Sequence, residues 1–135
     1  MKILIADNDH DGRVLASIAF KELKLGHDID FVSNSQELIE YLQSGINLNA
    51  ELPNLILLGM NMPGKDGRVA LKEIKSNPQL KHLDIIIFST SSSEADKKFT
   101  LGLGAKNYIV KPFGYNELLK TYRNICSSLV EKGVC

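Results

Sequence analysis

Four short polar runs each follow an apolar stretch of the chain: Asp7-Asn8-Asp9, Gly59-Met60-Asn61, Ser89-Thr90-Ser91 and Lys111-Pro112. Their carboxylates, amides and hydroxyls are hard oxygen donors, and such groups hold a divalent cation when one or two carboxylates converge. The first run continues as His10-Asp11. That much negative charge would repel a nucleotide's phosphates, and no Gly-rich phosphate loop follows the first apolar stretch. Taken singly, the runs also have ordinary structural uses. Asp7-Asn8-Asp9 suits a polar turn, Pro63-Gly64-Lys65-Asp66-Gly67 a tight turn, Ser91-Ser92-Ser93 a helix cap and Lys111-Pro112 a strand stop. His10, His27 and His82 stand in unrelated segments without ligand spacing, which suits surface or loop positions. Met60 and Met62 fit packing around a turn better than contact with a cofactor.

Side chains so far apart in sequence act together only if the fold gathers them. Short β-rich apolar runs span Ile3 to Ala6, Asp28 to Val32, Leu55 to Leu58, Ile85 to Phe88 and Tyr108 to Val110, with longer stretches of helical spacing between them. This alternation predicts βα repeated five times, hence a five-stranded parallel sheet with helices on both faces. The last helix is the most legible. Leu118, Tyr122, Ile125 and Leu129 recur at steps of three and four, and Leu119 and Cys126 widen the stripe. Capping-box spacings at Asn34/Glu37 and Ser91/Glu94 predict two helix starts, and Gly45 and Gly102 the corresponding stops. Gly45 to Pro53 reads as a polar surface connection. In a parallel α/β sheet, ligands gather at the carboxyl ends of the strands, and those ends carry the four polar runs.

The bulk numbers bound the answer. At 135 residues, 44% apolar and 24% charged, the chain fits one globular domain over 1–131 with a short tail at 132–135. Sixteen basic residues balance sixteen acidic ones, and no Lys/Arg run exceeds a pair. That balance argues against nucleic-acid and membrane-surface partners. The first apolar run is too short for a signal peptide or a spanning helix, so a cytoplasmic protein is expected. Cys126 falls on the apolar stripe of the last helix and Cys135 is terminal, positions that suit core filling and a tail.

Four segments together resemble the receiver domain of two-component response regulators, the flavodoxin-like (βα)5 sandwich. They are Ile3-Leu4-Ile5-Ala6-Asp7-Asn8-Asp9, Pro53-Asn54-Leu55-Ile56-Leu57-Leu58-Gly59-Met60-Asn61-Met62-Pro63-Gly64-Lys65-Asp66-Gly67, Phe88-Ser89-Thr90, and Gly104-Ala105-Lys106-Asn107-Tyr108-Ile109-Val110-Lys111-Pro112-Phe113. The resemblance spans nearly the whole chain. The insert before Pro53 and the run Leu71 to Pro78 look most like stand-alone receivers paired with sensor kinases such as bacteriophytochromes.

The resemblance implies roles. In the family a strand-end aspartate takes a phosphoryl group from a kinase phosphohistidine while an acidic pair holds Mg²⁺. Matching positions place Asp7 and Asn8 in the acidic pair and Asn61 as a metal-facing carbonyl. Ser89 takes the place of the switch hydroxyl, Lys111 of the phosphate-pairing lysine and Tyr108 of the switch aromatic. The acceptor position is Gly59, which has no side chain to phosphorylate. With Asn8 also neutral, Asp7 faces Lys111 in a nearly neutral pocket, where Mg²⁺ is expected to bind weakly if at all. Asp9 and Asp66 are expected in loop, turn or helix-start roles. The resulting expectation is a non-enzymatic pseudo-receiver without a cofactor. It would bind a sensor histidine kinase or phosphotransfer protein, or its own copy through the fourth and fifth helices. One alternative is an ordinary Mg²⁺-dependent receiver whose acceptor aspartate has been altered to Gly59 by a one-base change. A more remote one is a flavodoxin-like small-molecule-binding domain.

Overall fold

The computed structural model describes residues 2–24, 28–60 and 67–131, with side chains through Ser127. His27, Asn61, Met62, the Pro63-to-Asp66 turn, the Leu129 side chain and the tail with Cys135 lie outside the described residues. The elements alternate as the apolar periodicity predicts: β1 (Lys2–Ala6), α1 (His10–Leu23), β2 (Asp28–Val32), α2 (Ser35–Asn47), β3 (Leu55–Leu58), α3 (Gly67–Lys75), β4 (Asp84–Ser89), α4 (Glu94–Gly102), β5 (Asn107–Val110) and α5 (Tyr115–Glu131). All strands are parallel, in the order β2-β1-β3-β4-β5. This is the flavodoxin-like arrangement expected from the sequence.

Strand composition follows position in the sheet. Central β3, Leu55-Ile56-Leu57-Leu58, is buried at every residue because helices cover both of its faces. At one edge, β2 keeps Asp28 and Asp30 exposed, and at the other, β5 exposes Asn107 and Val110. Charged or polar edges discourage further strand pairing. Side chains alternate between two cores. Leu4, Ala6, Ile56, Leu58, Ile85 and Ile87 pack with α2 and α3, while Ile3, Ile5, Leu55, Leu57, Ile86 and Phe88 pack with α1 and α5. Each such Leu or Ile stabilises by roughly 1.5–3 kcal/mol on burial, which fixes the strand register. The α5 stripe behaves as its spacing predicts: Leu118, Tyr122, Ile125 and Cys126 are buried.

Two boundaries differ from expectation. Helix α2 does not stop at Gly45 but continues to Asn47, and the chain turns at Asn49, whose φ is 52°. Gly45 instead leaves room for Leu52, since a Cβ there would lie 2.8 Å from the Leu52 Cδ2. At α4 the cap is Ser93, whose hydroxyl accepts from the Asp96 N–H, and not Ser91. The expected cap of α2 is present, with the Asn34 side chain accepting from the Glu37 N–H at 2.8 Å.

Candidate functional site

Strands β1 and β3 are neighbours, yet α1 leaves β1 toward one face and α3 leaves β3 toward the other. Such a reversal opens a crevice at the carboxyl ends of the strands. Backbone bonds carry the polar runs into register around it. The Asp7 N–H donates to the Val32 carbonyl at 3.0 Å, Gly59 N–H to Ala6 at 2.9 Å and Lys111 N–H to Ser89 at 2.7 Å. The resulting cleft of about 200 Å³ is lined by Asp7, Asn8, Asp9, Gly59, Met60, Phe88, Ser89, Thr90 and Lys111.

Its centre is an ion pair. Lys111 Nζ donates to Asp7 Oδ2 at 2.5 Å, both side chains are mostly buried, and the Phe88 ring lies 5.8 Å from the ammonium. Partial burial makes such a pair costly to break from one side only, because the remaining charge would lose its partner. Asp7 is further fixed by the Asp9 N–H, which donates to Oδ1 at 2.9 Å, and by Arg13 Nη1, which donates to its carbonyl at 2.6 Å. The opening of α1 is shaped to fit. A Cβ on Gly12 would meet Asp7 Oδ2 and Asp9 Oδ2 at 3.2 Å and Lys111 Nζ at 3.4 Å. Beneath the pair, burial against Phe20 and Phe88, reinforced by the Asp7 carboxylate, raises the Tyr122 phenol well above its ordinary pKa and keeps it neutral.

Asp7, Asn8, Gly59, Ser89 and Lys111, far apart in sequence, thus meet in one cleft. Asn8 is exposed at its rim. Tyr108 is buried away from the opening, its Oη donating to the Ser91 carbonyl at 2.8 Å. Asn61 lies outside the described residues. Asp9 takes the N-cap position of α1 without a side-chain capping bond, as a helix-start residue, but it also lines the cleft. The expected charge count set only Asp7 against Lys111; Asp9 also lines the cleft, and the Arg13 guanidinium donates to the Asp7 carbonyl beside it. Gly12 and Arg13 were not singled out in the sequence, and Phe88 was read only as a strand residue. The signal was the opening of α1 directly after the Asp7 run, which obliges its first turn to pass over the cleft.

A profile of the response regulator receiver domain matches residues 3–123. The chain belongs to this family. Response regulator Rcp1 of a Synechocystis species is 32% identical to this receiver over 130 residues, 96% of this chain and 88% of its own. The structure of the Mn²⁺-bound form of Rcp1 superposes with a TM-score of 0.82 at 31% identity, over 92% of this chain and 90% of that one. The phosphorylated cyanobacterial phytochrome response regulator RcpA gives 0.84 at 34% identity, over 92% and 89%. This receiver is therefore a response-regulator domain of two-component signalling, a class that generally signals and does not catalyse. Among its described residues, no helix is long and apolar enough to cross a membrane, and no three His, Cys, Asp or Glu side chains cluster as metal ligands.

Proposed function

We propose that this receiver signals by binding protein partners in one fixed conformation, without accepting a phosphoryl group. The observation that carries the reading is Gly59: the end of β3 beside Asp7 and Lys111 offers no carboxylate, and Lys111 is already engaged by Asp7. Its partners are a sensor histidine kinase, a phosphotransfer protein or a second copy. The α4–β5–α5 side supports the last of these, because Phe99, Leu101, Val110 and Phe113 are exposed there.

A divalent cation fits the cleft poorly. Asp7 is committed to Lys111, Asn8 brings a neutral amide, and Asp9 alone adds a second carboxylate. One feature favours a second reading, an ordinary receiver whose acceptor has been changed to glycine. The backbone of Gly59 is not in the left-handed region, and a Cβ there would meet only the Ala6 carbonyl closely, at 3.2 Å, so a side chain could be accommodated by a small shift.

Incubation with acetyl phosphate and Mg²⁺, followed by intact-mass measurement, tests the proposal. The expected result is an unmodified chain, with Gly59→Asp gaining an adduct under the second reading. A stoichiometric aspartyl phosphate on the unaltered chain would overturn it.

A further inference from the structure

The loop between β4 and α4 is tied by a carboxylate outside the cleft. Asp96, in the first turn of α4, receives Arg68 Nη1 from α3 on Oδ1 at 2.7 Å and the Ser91 hydroxyl on Oδ2 at 2.9 Å. Its side chain is mostly buried. Ser91 is in turn the loop's junction: its carbonyl accepts the Tyr108 phenol at 2.8 Å, its N–H donates to the Ser89 hydroxyl at 3.1 Å, and its own hydroxyl accepts from the Ser93 N–H at 3.2 Å. One carboxylate therefore links α3, α4, the loop and, through Ser91, the buried aromatic of β5. Both of its oxygens take bonds from different elements, and bonds to a charged acceptor are about twice as strong as neutral ones.

We propose that Arg68 and Asp96 form an internal clamp that holds Ser91, and with it the buried Ser89 and Tyr108 side chains, in place without any phosphoryl group. This rests on the reading of a receiver fixed in one state, and it names what fixes it. The chemistry demands a carboxylate. An amide in its place can accept from only one of the two donors and turns its own NH₂ toward the other.

The experiment compares Asp96→Asn and Arg68→Met with Glu94→Gln, which removes the same charge as Asp96→Asn from the same helical turn at an exposed carboxylate paired with Lys97. NMR reads two quantities: amide exchange at Ser91, and NOEs from the Tyr108 ring to core methyl groups. Asp96→Asn and Arg68→Met are expected to speed Ser91 exchange roughly tenfold and weaken the Tyr108 NOEs. The double variant is expected to be no worse than either single one. Arg68 is partly exposed, so Arg68→Met reads the clamp even if Asp96→Asn unfolds. Exchange and NOEs unchanged from Glu94→Gln would overturn the clamp. The acetyl phosphate assay fails or succeeds separately, since an adduct there would refute the unphosphorylated reading and leave these measurements as they stand.

Discussion

At position 59 the difference between glycine and aspartate is electrostatic before it is steric. A carboxylate there would stand beside Asp7, and two such groups about 4 Å apart repel by up to ~4 kcal/mol at an effective dielectric near 20. Lys111 already serves Asp7 and would have to be shared, while replacing glycine returns roughly 0.5–1 kcal/mol of backbone entropy. Gly59→Asp is therefore expected to be about 1–2 kcal/mol less stable than the parent in chelator, and to recover when Mg²⁺ is added. Thermal melting with and without the metal measures this, and equal midpoints for the variant would sink it. At this scale the sequence was informative about side chains and silent about aim. Asp7 and Lys111 were legible as a pair because each directly follows the last residue of its strand. The turn of Asp9 toward the same cleft depends on the path of the loop into α1, which residue type alone does not encode.

Helix α3 starts unusually close to the strand before it. The Gly67 N–H donates to the Met60 carbonyl at 2.7 Å, and a Cβ on Gly67 would lie 2.1 Å from the Gly59 carbonyl oxygen and 3.0 Å from the Met60 Cα. Backbone cannot yield as a flexible side chain does, so Gly67→Ala is expected to cost about 3 kcal/mol and to displace Gly59 as well. Gly102, the last residue of α4, has nothing near its missing Cβ. Gly102→Ala is expected to stabilise by roughly 0.5–1 kcal/mol. Urea midpoints distinguish the two, and a harmless Gly67→Ala would refute the close-approach argument. Elements were readable from apolar periodicity, but their ends were less so. Ser91/Glu94 and Ser93/Asp96 satisfy the same capping spacing, and the choice between them is made by tertiary contact, since Ser91 and Asp96 are both drawn into the Arg68 network.

Across the whole molecule, two cores account for the sheet, and the apolar residues left outside point to assembly. Phe113 is fully exposed at 102% and Phe99 at 52%, on the side formed by α4, β5 and α5. If that side joins two copies, Phe99→Glu with Phe113→Ser will shift the protein from dimer to monomer in sedimentation equilibrium, while a parent that is monomeric at high concentration counts against it. The five-stranded parallel sheet was legible because βα alternation admits few topologies. Which apolar residues stay exposed on that side was not, because exposure emerges only once the helices are placed. The ion pair in the cleft also has a kinetic meaning. Asp7 and Lys111 are 104 residues apart, at the ends of β1 and β5, with β3 and β4 between them. Such a contact is expected to form after the intervening strands have assembled, since closing so long a loop carries an entropic cost that nearer pairings must first offset. Its stabilisation therefore belongs to the native side of the folding barrier: it retards opening of the sheet and leaves the speed of assembly nearly untouched.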